Sequence, residues 1–151
     1  MNQKRNDTTF MNAALGLAQD SHCVSKQVGC VIVANNRIVS SGVNGTPVGY
    51  HFNCDDLFSK AEFDREEHHQ WSLVHELHAE TNAFMGLVGA GVSVNHATLY
   101  VTLQPCTSCA TMIVASGIIS RVVYHTAYDK GSAKSLAFLK ENGIIVEQFD
   151  H

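Results

Sequence analysis

Two short segments, His78-Ala79-Glu80 and Pro105-Cys106-Thr107-Ser108-Cys109, constrain this chain more than anything else in it. One imidazole and two thiolates suit a tetrahedral divalent ion such as zinc, and three protein ligands leave a fourth position open, which is the layout of a catalytic site. Residues 81–104, between the two halves, read as a helix followed by a strand. The fold must therefore bring two helix N-termini side by side. A spacing of three puts Cys106 and Cys109 on one helix face, and a helix N-terminus favours thiolate over thiol. Pro105 suits the start of that helix, where its missing N–H is no loss. Glu80 stands two residues from the histidine and is placed to carry protons to and from a metal-activated water. The bland alternative is a closed four-ligand knot with Glu80 as a surface helix residue; the histidine–glutamate pair, the proline and the intervening helix and strand argue against it.

Periodicity supplies the rest of the frame. Phe10, Ala13, Ala14, Leu17 and Ala18 recur at helical spacing over Thr8 to Asp20, with Asp7 or Thr8 as N-cap. Val28 to Ala34 is a nearly continuous apolar run, and Asn35-Asn36 turns it into Arg37 to Val43, so the two read as a hairpin. Cys30 falls inside the first strand as a core thiol. Gly45 to Ser72 has no clear period, and a loop of that length in a compact domain is functional or pinned by something other than a core. A helix from Ala79 to Val88, a strand from Thr98 to Leu103, a helix from Thr107 to Ser116 stopped by Gly117, a strand from Ser120 to Tyr124, a helix from Ala133 to Glu141 and a last strand from Gly143 to Val146 follow. Strands alternating with helices after a hairpin predict a three-layer α/β/α fold on a central mixed five-stranded sheet, one domain over residues 1–151 with 45–72 as a long insertion.

Charge narrows the partners. Ten Lys and Arg against fourteen Asp and Glu give a formal net charge of −4 with no basic run, which disfavours a polynucleotide. A few local cations are still enough for one mononucleotide. The first residues lack the apolar core of a secretory signal and no apolar stretch is long enough to span a bilayer, so no membrane role and a cytoplasmic location are expected. The five cysteines are an odd number, and in a reducing compartment they read as metal ligands or core residues.

The spacing H-x-E…P-C-x-x-C is an already known signature of zinc deaminases acting on nucleobases. Together with His75-Glu76-Leu77-His78-Ala79-Glu80-Thr81-Asn82-Ala83, Tyr100 to Ala110 and Ser41 to Gly49, it makes the chain resemble the deoxycytidylate deaminases, particularly the bacteriophage type, over Thr9 to Val146. The resemblance implies hydrolytic deamination of dCMP to dUMP and ammonia, supplying dUMP for dTMP synthesis, in a homohexamer activated by dCTP with Mg²⁺ and inhibited by dTTP. His78, Cys106 and Cys109 match the family's zinc ligands, and Glu80 its proton shuttle. Asn44 matches the residue that holds the deoxyribose hydroxyl, although an Asn before Gly also suits a turn for backbone reasons. Lys26 aligns with a cation facing the 5′-phosphate, against the alternative of a solvated lysine. Tyr128 matches a tyrosine near the substrate, against a packing role, and Ala79 belongs to the substrate wall. Gly42, Asn44 and Gly45 border the family's effector site. Val43 stands where relatives usually carry an aromatic residue, a departure that bears on the effectors and not on the chemistry.

The same resemblance gives the unpatterned insertion a second, structural zinc. Cys23, Cys54 and His68 sit at positions matching its ligands, with Glu76 as fourth ligand and His75 next in line; chance scatter of two thiols and one of nine histidines is the alternative. Phe84-Met85 is a candidate contact between subunits, core packing being the other explanation. Competing functions are a free-cytidine deaminase, which needs no phosphate cation, a tRNA adenosine deaminase, which should be basic, and a catalytically silent zinc-binding subunit of the same fold, which has no reason to keep Glu80.

Overall fold

A computed structural model describes residues 3–128 and 133–150, the first three of these by their backbone alone. Helix α1 (Gln3–Ala18) precedes strands β1 (Gly29–Ala34) and β2 (Arg37–Val43). Three helices follow: α2 (Cys54–Leu57), α3 (Arg65–His75) and α4 (Ala79–Ala90). The chain then alternates through β3 (Ala97–Leu103), α5 (Thr107–Ser116), β4 (Ile119–Thr126), α6 (Ala133–Glu141) and β5 (Ile145–Gln148). The sheet order is β2-β1-β3-β4-β5. β1 runs antiparallel to both β2 and β3, whereas β3, β4 and β5 run parallel, so the sheet is mixed as expected.

Local chemistry explains most of the boundaries. Asn35 and Asn36 both hold positive φ, 51° and 62°, the conformation a two-residue hairpin turn needs and asparagine tolerates. Gly91 and Gly117 end α4 and α5 in left-handed conformations. Even-numbered β1 residues such as Ile32 face one side of the sheet with Leu99, Val101 and Val122, where Ala83, Phe84, Ile113 and Leu139 from α4, α5 and α6 pack on them. Val31, Val33, Tyr100 and Val123 face the other side, where Phe10, Met11 and Ala14 of α1 cover them. These are the three layers. Cys30 is fully buried in the first cluster, a core thiol as its strand position implies. Among the described residues no helix is long and apolar enough to cross a membrane.

Four expectations need correction. α1 is already helical at Gln3, so neither Asp7 nor Thr8 caps it. Asp7 instead lies inside the helix and takes Arg121 in a two-point pair, Nη1–Oδ1 2.9 Å and Nη2–Oδ2 2.6 Å, while Tyr100 donates to its Oδ1 at 2.6 Å. The insertion is not structureless: α2 and α3 occupy much of it, with Asp64 capping α3 by accepting from the Glu67 N–H at 2.8 Å. Pro105 stands just outside the helix and not at its first position, one residue before Cys106, the N-cap of α5. Phe84 is 7% exposed and belongs to the core, whereas Met85, at 51%, faces outward.

Candidate active site and second metal cluster

The two halves of the opening motif meet at adjacent helix starts. His78 is the N-cap residue of α4 and Cys106 that of α5. Residues 77–78 leave α3 and enter α4 directly, while β3 delivers Gln104 and Pro105 to the mouth of α5. His78 Nδ1 lies 3.5 Å from Cys106 Sγ and 3.3 Å from Cys109 Sγ, and the three ligand atoms sit within 4.8 Å of one another. That donor set fits a zinc ion. Hydrogen bonding from Cys109 draws Cys106 well down, to about 4, while the same bond and burial push Cys109 up.

Glu80 is in the first turn of α4, 4% exposed, and lines the same cavity as His78. Burial is the main cause lifting its carboxyl above the ordinary range, which suits a group that must hold a proton part of the time. The cavity measures about 200 Å³ and is walled by Lys26, Val28, Asn44, His78, Ala79, Glu80, Leu103, Gln104 and Tyr128. Every residue assigned to substrate binding from sequence, Asn44, Lys26, Tyr128 and Ala79, is therefore in its wall. The Lys26 amine stands over the Tyr128 ring, 5.1 Å from its centre.

A second space of about 310 Å³ shares Lys26, Asn44 and His78 with the first and continues past Ser25, Arg65, His69 and Ser72. It brings a second cation, Arg65, whose guanidinium rests 5.7 Å from the Phe63 ring. A third space of about 640 Å³ lies on the other side of residues 42–48, bounded by Gly42, Val43, Asn44, Gly45, Asn82 and Met85 among others. Asn44 borders all three. Gly42 has a packing reason of its own: a Cβ there would collide with Ala79 O and Ala83 N of α4.

Cys23, Cys54, His68 and Glu76 also converge, their ligand atoms within 4.8 Å of one another. Cys23 Sγ is 3.8 Å from His68 Nε2 and 3.9 Å from Glu76 Oε1, and His68 Nε2 is 3.5 Å from that same oxygen. The Glu76 side chain is 5% exposed and its Oε2 is buried with no partner. Glu76 turns Oε1 to Cys23 and His68, and a buried carboxylate with its second oxygen unpartnered fits a group that holds a cation. His75 is outside the group, stacked on Trp71 with its Nδ1 2.8 Å from the Trp71 carbonyl oxygen. The two clusters are adjacent in sequence: Glu76 ends α3, His78 opens α4, and Leu77 between them pairs with Gly45 through two backbone bonds of 2.7 and 3.1 Å.

Sequence reasoning missed Gln104, Arg65, His69 and Ser21. Gln104 is buried next to the motif, its Oε1 accepting from the Tyr128 N–H at 3.4 Å and its Nε2 donating to Ser135 at 3.2 Å; its position before Pro105 was the available signal. Arg65 and His69 lay in a stretch with no period, so nothing indicated which way they face.

Residues 4–126 match the family model described as the cytidine and deoxycytidylate deaminase zinc-binding region. The chain belongs to that family. It is 35% identical to the deoxycytidylate deaminase of Enterobacteria phage T2, covering 92% of this chain and 89% of the relative. The T4 phage enzyme of the same name is also 35% identical, over 92% and 87%. Among solved structures, the dCMP deaminase of cyanophage S-TIM5 in complex with dCMP and dUMP superposes with a TM-score of 0.78 at 29% identity, over 98% of both chains.

Proposed function

We infer that this chain is a hydrolytic dCMP deaminase that releases dUMP and ammonia. The observation that carries the reading is one cavity lined by His78, a buried glutamate and a lysine, with Cys106 and Cys109 converging on that histidine, in a chain that aligns along nearly its whole length with phage deoxycytidylate deaminases. Zinc held by His78, Cys106 and Cys109 would supply Lewis acidity and acidify the attacking water. Glu80, buried beside those ligands, accepts the proton that water gives up as it adds to C4 of the pyrimidine. The same carboxyl gives that proton to N3, then takes the remaining proton of the added hydroxyl and passes it to the departing amino group, so that C4 becomes a carbonyl and ammonia leaves. Ala79 and Leu103 exclude bulk water around the base. Asn44 receives the deoxyribose hydroxyl and Lys26 the 5′-phosphate, with Tyr128 closing the wall between them. Arg65, His69 and Ser72 extend the phosphate side into the adjoining space.

Further parts of the reading rest on family resemblance. Cys23, Cys54, His68 and Glu76 hold a second, structural zinc, supported by the orphaned Glu76 oxygen. The 640 Å³ space beside Gly42, Asn44 and Gly45 is where dCTP with Mg²⁺, or dTTP, would act on a homohexamer in the cytoplasm. Val43 presents a smaller side chain there than an aromatic would, so the response differs in strength from that of aromatic-bearing relatives. The test is a panel of cytidine, deoxycytidine, CMP, dCMP and dCTP, each with and without dCTP or dTTP as effector. dCMP should be turned over best; a preference for deoxycytidine would overturn the nucleotide reading and favour a free-nucleoside deaminase.

A further inference from the structure

Ser21 is a buried hydroxyl that the chemistry above does not use. Its Oγ accepts from the Cys23 backbone N–H at 3.3 Å and donates toward Asn44, 2.7 Å from Oδ1 and 2.9 Å from the carbonyl oxygen. Asn44 Oδ1 also accepts from the Val28 N–H at 2.9 Å. The Val28 N–H can only donate and the Lys26 carbonyl can only accept, so the amide cannot turn over without losing both, and Nδ2 is held toward that carbonyl oxygen, 2.7 Å away, while the Ser21 hydroxyl braces Oδ1. An amide nitrogen carries two hydrogens. One is committed to Lys26, which leaves the other for a ligand in the cavity that Asn44 and Lys26 line.

The other end of this chain of contacts is the second cluster. Cys23, whose N–H holds Ser21, contributes its sulfur there, and the Val24 N–H donates to Cys54 Sγ at 3.4 Å. We propose that Ser21 is a positioning residue that couples the Cys23–Cys54–His68–Glu76 cluster to substrate affinity, by fixing the Asn44 amide and through it the Lys26 segment. This rests on the reading of Asn44 as the sugar contact. An arm ordered before the nucleotide arrives costs nothing to order on binding. Loss of the brace therefore acts on binding and leaves Glu80 and the three ligands of the first cluster as they were, so KM moves and kcat does not.

The experiment measures kcat and KM for dCMP, zinc per chain and Tm in wild type, Ser21→Ala, Ser21→Thr, Asn44→Asp and the Ser21→Ala/Asn44→Asp double variant. Ser21→Ala should raise KM about five-fold, the worth of one hydrogen bond, with kcat within about two-fold and zinc content at the wild-type value. Ser21→Thr, which keeps the hydroxyl, should return KM to near wild type. The double variant should bind no worse than Asn44→Asp alone, since both act through one group. A wild-type KM in Ser21→Ala, or single effects that multiply in the double variant, overturns the coupling while leaving the role of Asn44 intact. An unchanged KM in Asn44→Asp overturns the sugar contact itself. Hydrogen exchange on the wild-type protein tests the same point without relying on any variant's folding: dCMP should add little protection to residues 21–28, and a large gain there contradicts an arm ordered in advance.

Discussion

Replacing Cys54 with alanine separates the two metal clusters. The residue is buried beside Cys23 and Val24, and among the described residues the partly buried hydrophobics packed on that small group are Phe58, Phe63 and Trp71. Such a cluster is too small to hold residues 45–76 by burial alone, and the buried Glu76 oxygen without a partner is itself a liability of about 1–3 kcal/mol when no cation meets it. A zinc present at 100 times its dissociation constant adds about 2.7 kcal/mol to folding by mass action. For a chain of 151 residues, 1 kcal/mol corresponds to about 3 °C in Tm. Losing the metal should therefore lower Tm by about 8 °C or more. Elemental analysis should fall from two zinc per chain to one, and hydrogen exchange should rise across α2 and α3 while β1, β3 and β4 stay protected. Turnover at saturating dCMP should survive, because the first cluster is untouched. One zinc per chain in wild type, unchanged in Cys54→Ala, would refute the reasoning, and so would an unaltered Tm with a full metal count of two.

Three more outcomes follow from single contacts. Asp7→Ala strips a two-point partner from Arg121 and leaves it Glu147, which is half exposed, at 3.0 Å and the Tyr100 hydroxyl at 3.4 Å; breaking so buried a pair should cost about 3–5 kcal/mol, read as a lower denaturation midpoint, and a loss under 1 kcal/mol would mean the pair is merely superficial. Lys26→Glu should raise KM for dCMP at least ten-fold while leaving deoxycytidine turnover almost unchanged; equal losses on both substrates would deny the lysine its phosphate. Gly42→Ala should destabilise the protein through the collision with Ala79 and Ala83, by about 1–3 kcal/mol, whether or not an effector is present, and wild-type stability would contradict the packing account.

How much of this was legible in the sequence depended on which forces set each element. The hairpin turn at Asn35-Asn36, the glycine stop at Gly117 and the burial of Cys30 follow from local conformational preference and strand periodicity, and the strands from β1 to β4 fell within one or two residues of their observed ends. The site at His78, Cys106 and Cys109 was readable because chemistry fixes both residue type and spacing. Asp7 was misread because a helix start and a mid-helix aspartate look alike until the distant Arg121 is known. α3 was missed because its inward face is His68 with the partly buried Trp71, which serve a ligand cluster, so no hydrophobic period marks it. Ser21 carried no pattern at all; only the fold reveals that it meets Asn44, twenty-three residues away.

The central claim is that Glu80 moves the proton at a zinc-activated dCMP. The direct measurement is ammonia and dUMP released from dCMP by wild type and by Glu80→Gln, with zinc counted in both. Glutamine keeps the shape of the buried side chain and none of its proton affinity. Wild type should release the two products in equal amounts, and Glu80→Gln should lose roughly 10²–10⁴-fold in kcat with its catalytic zinc retained. No ammonia from the wild type, or undiminished release from Glu80→Gln, would contradict the account.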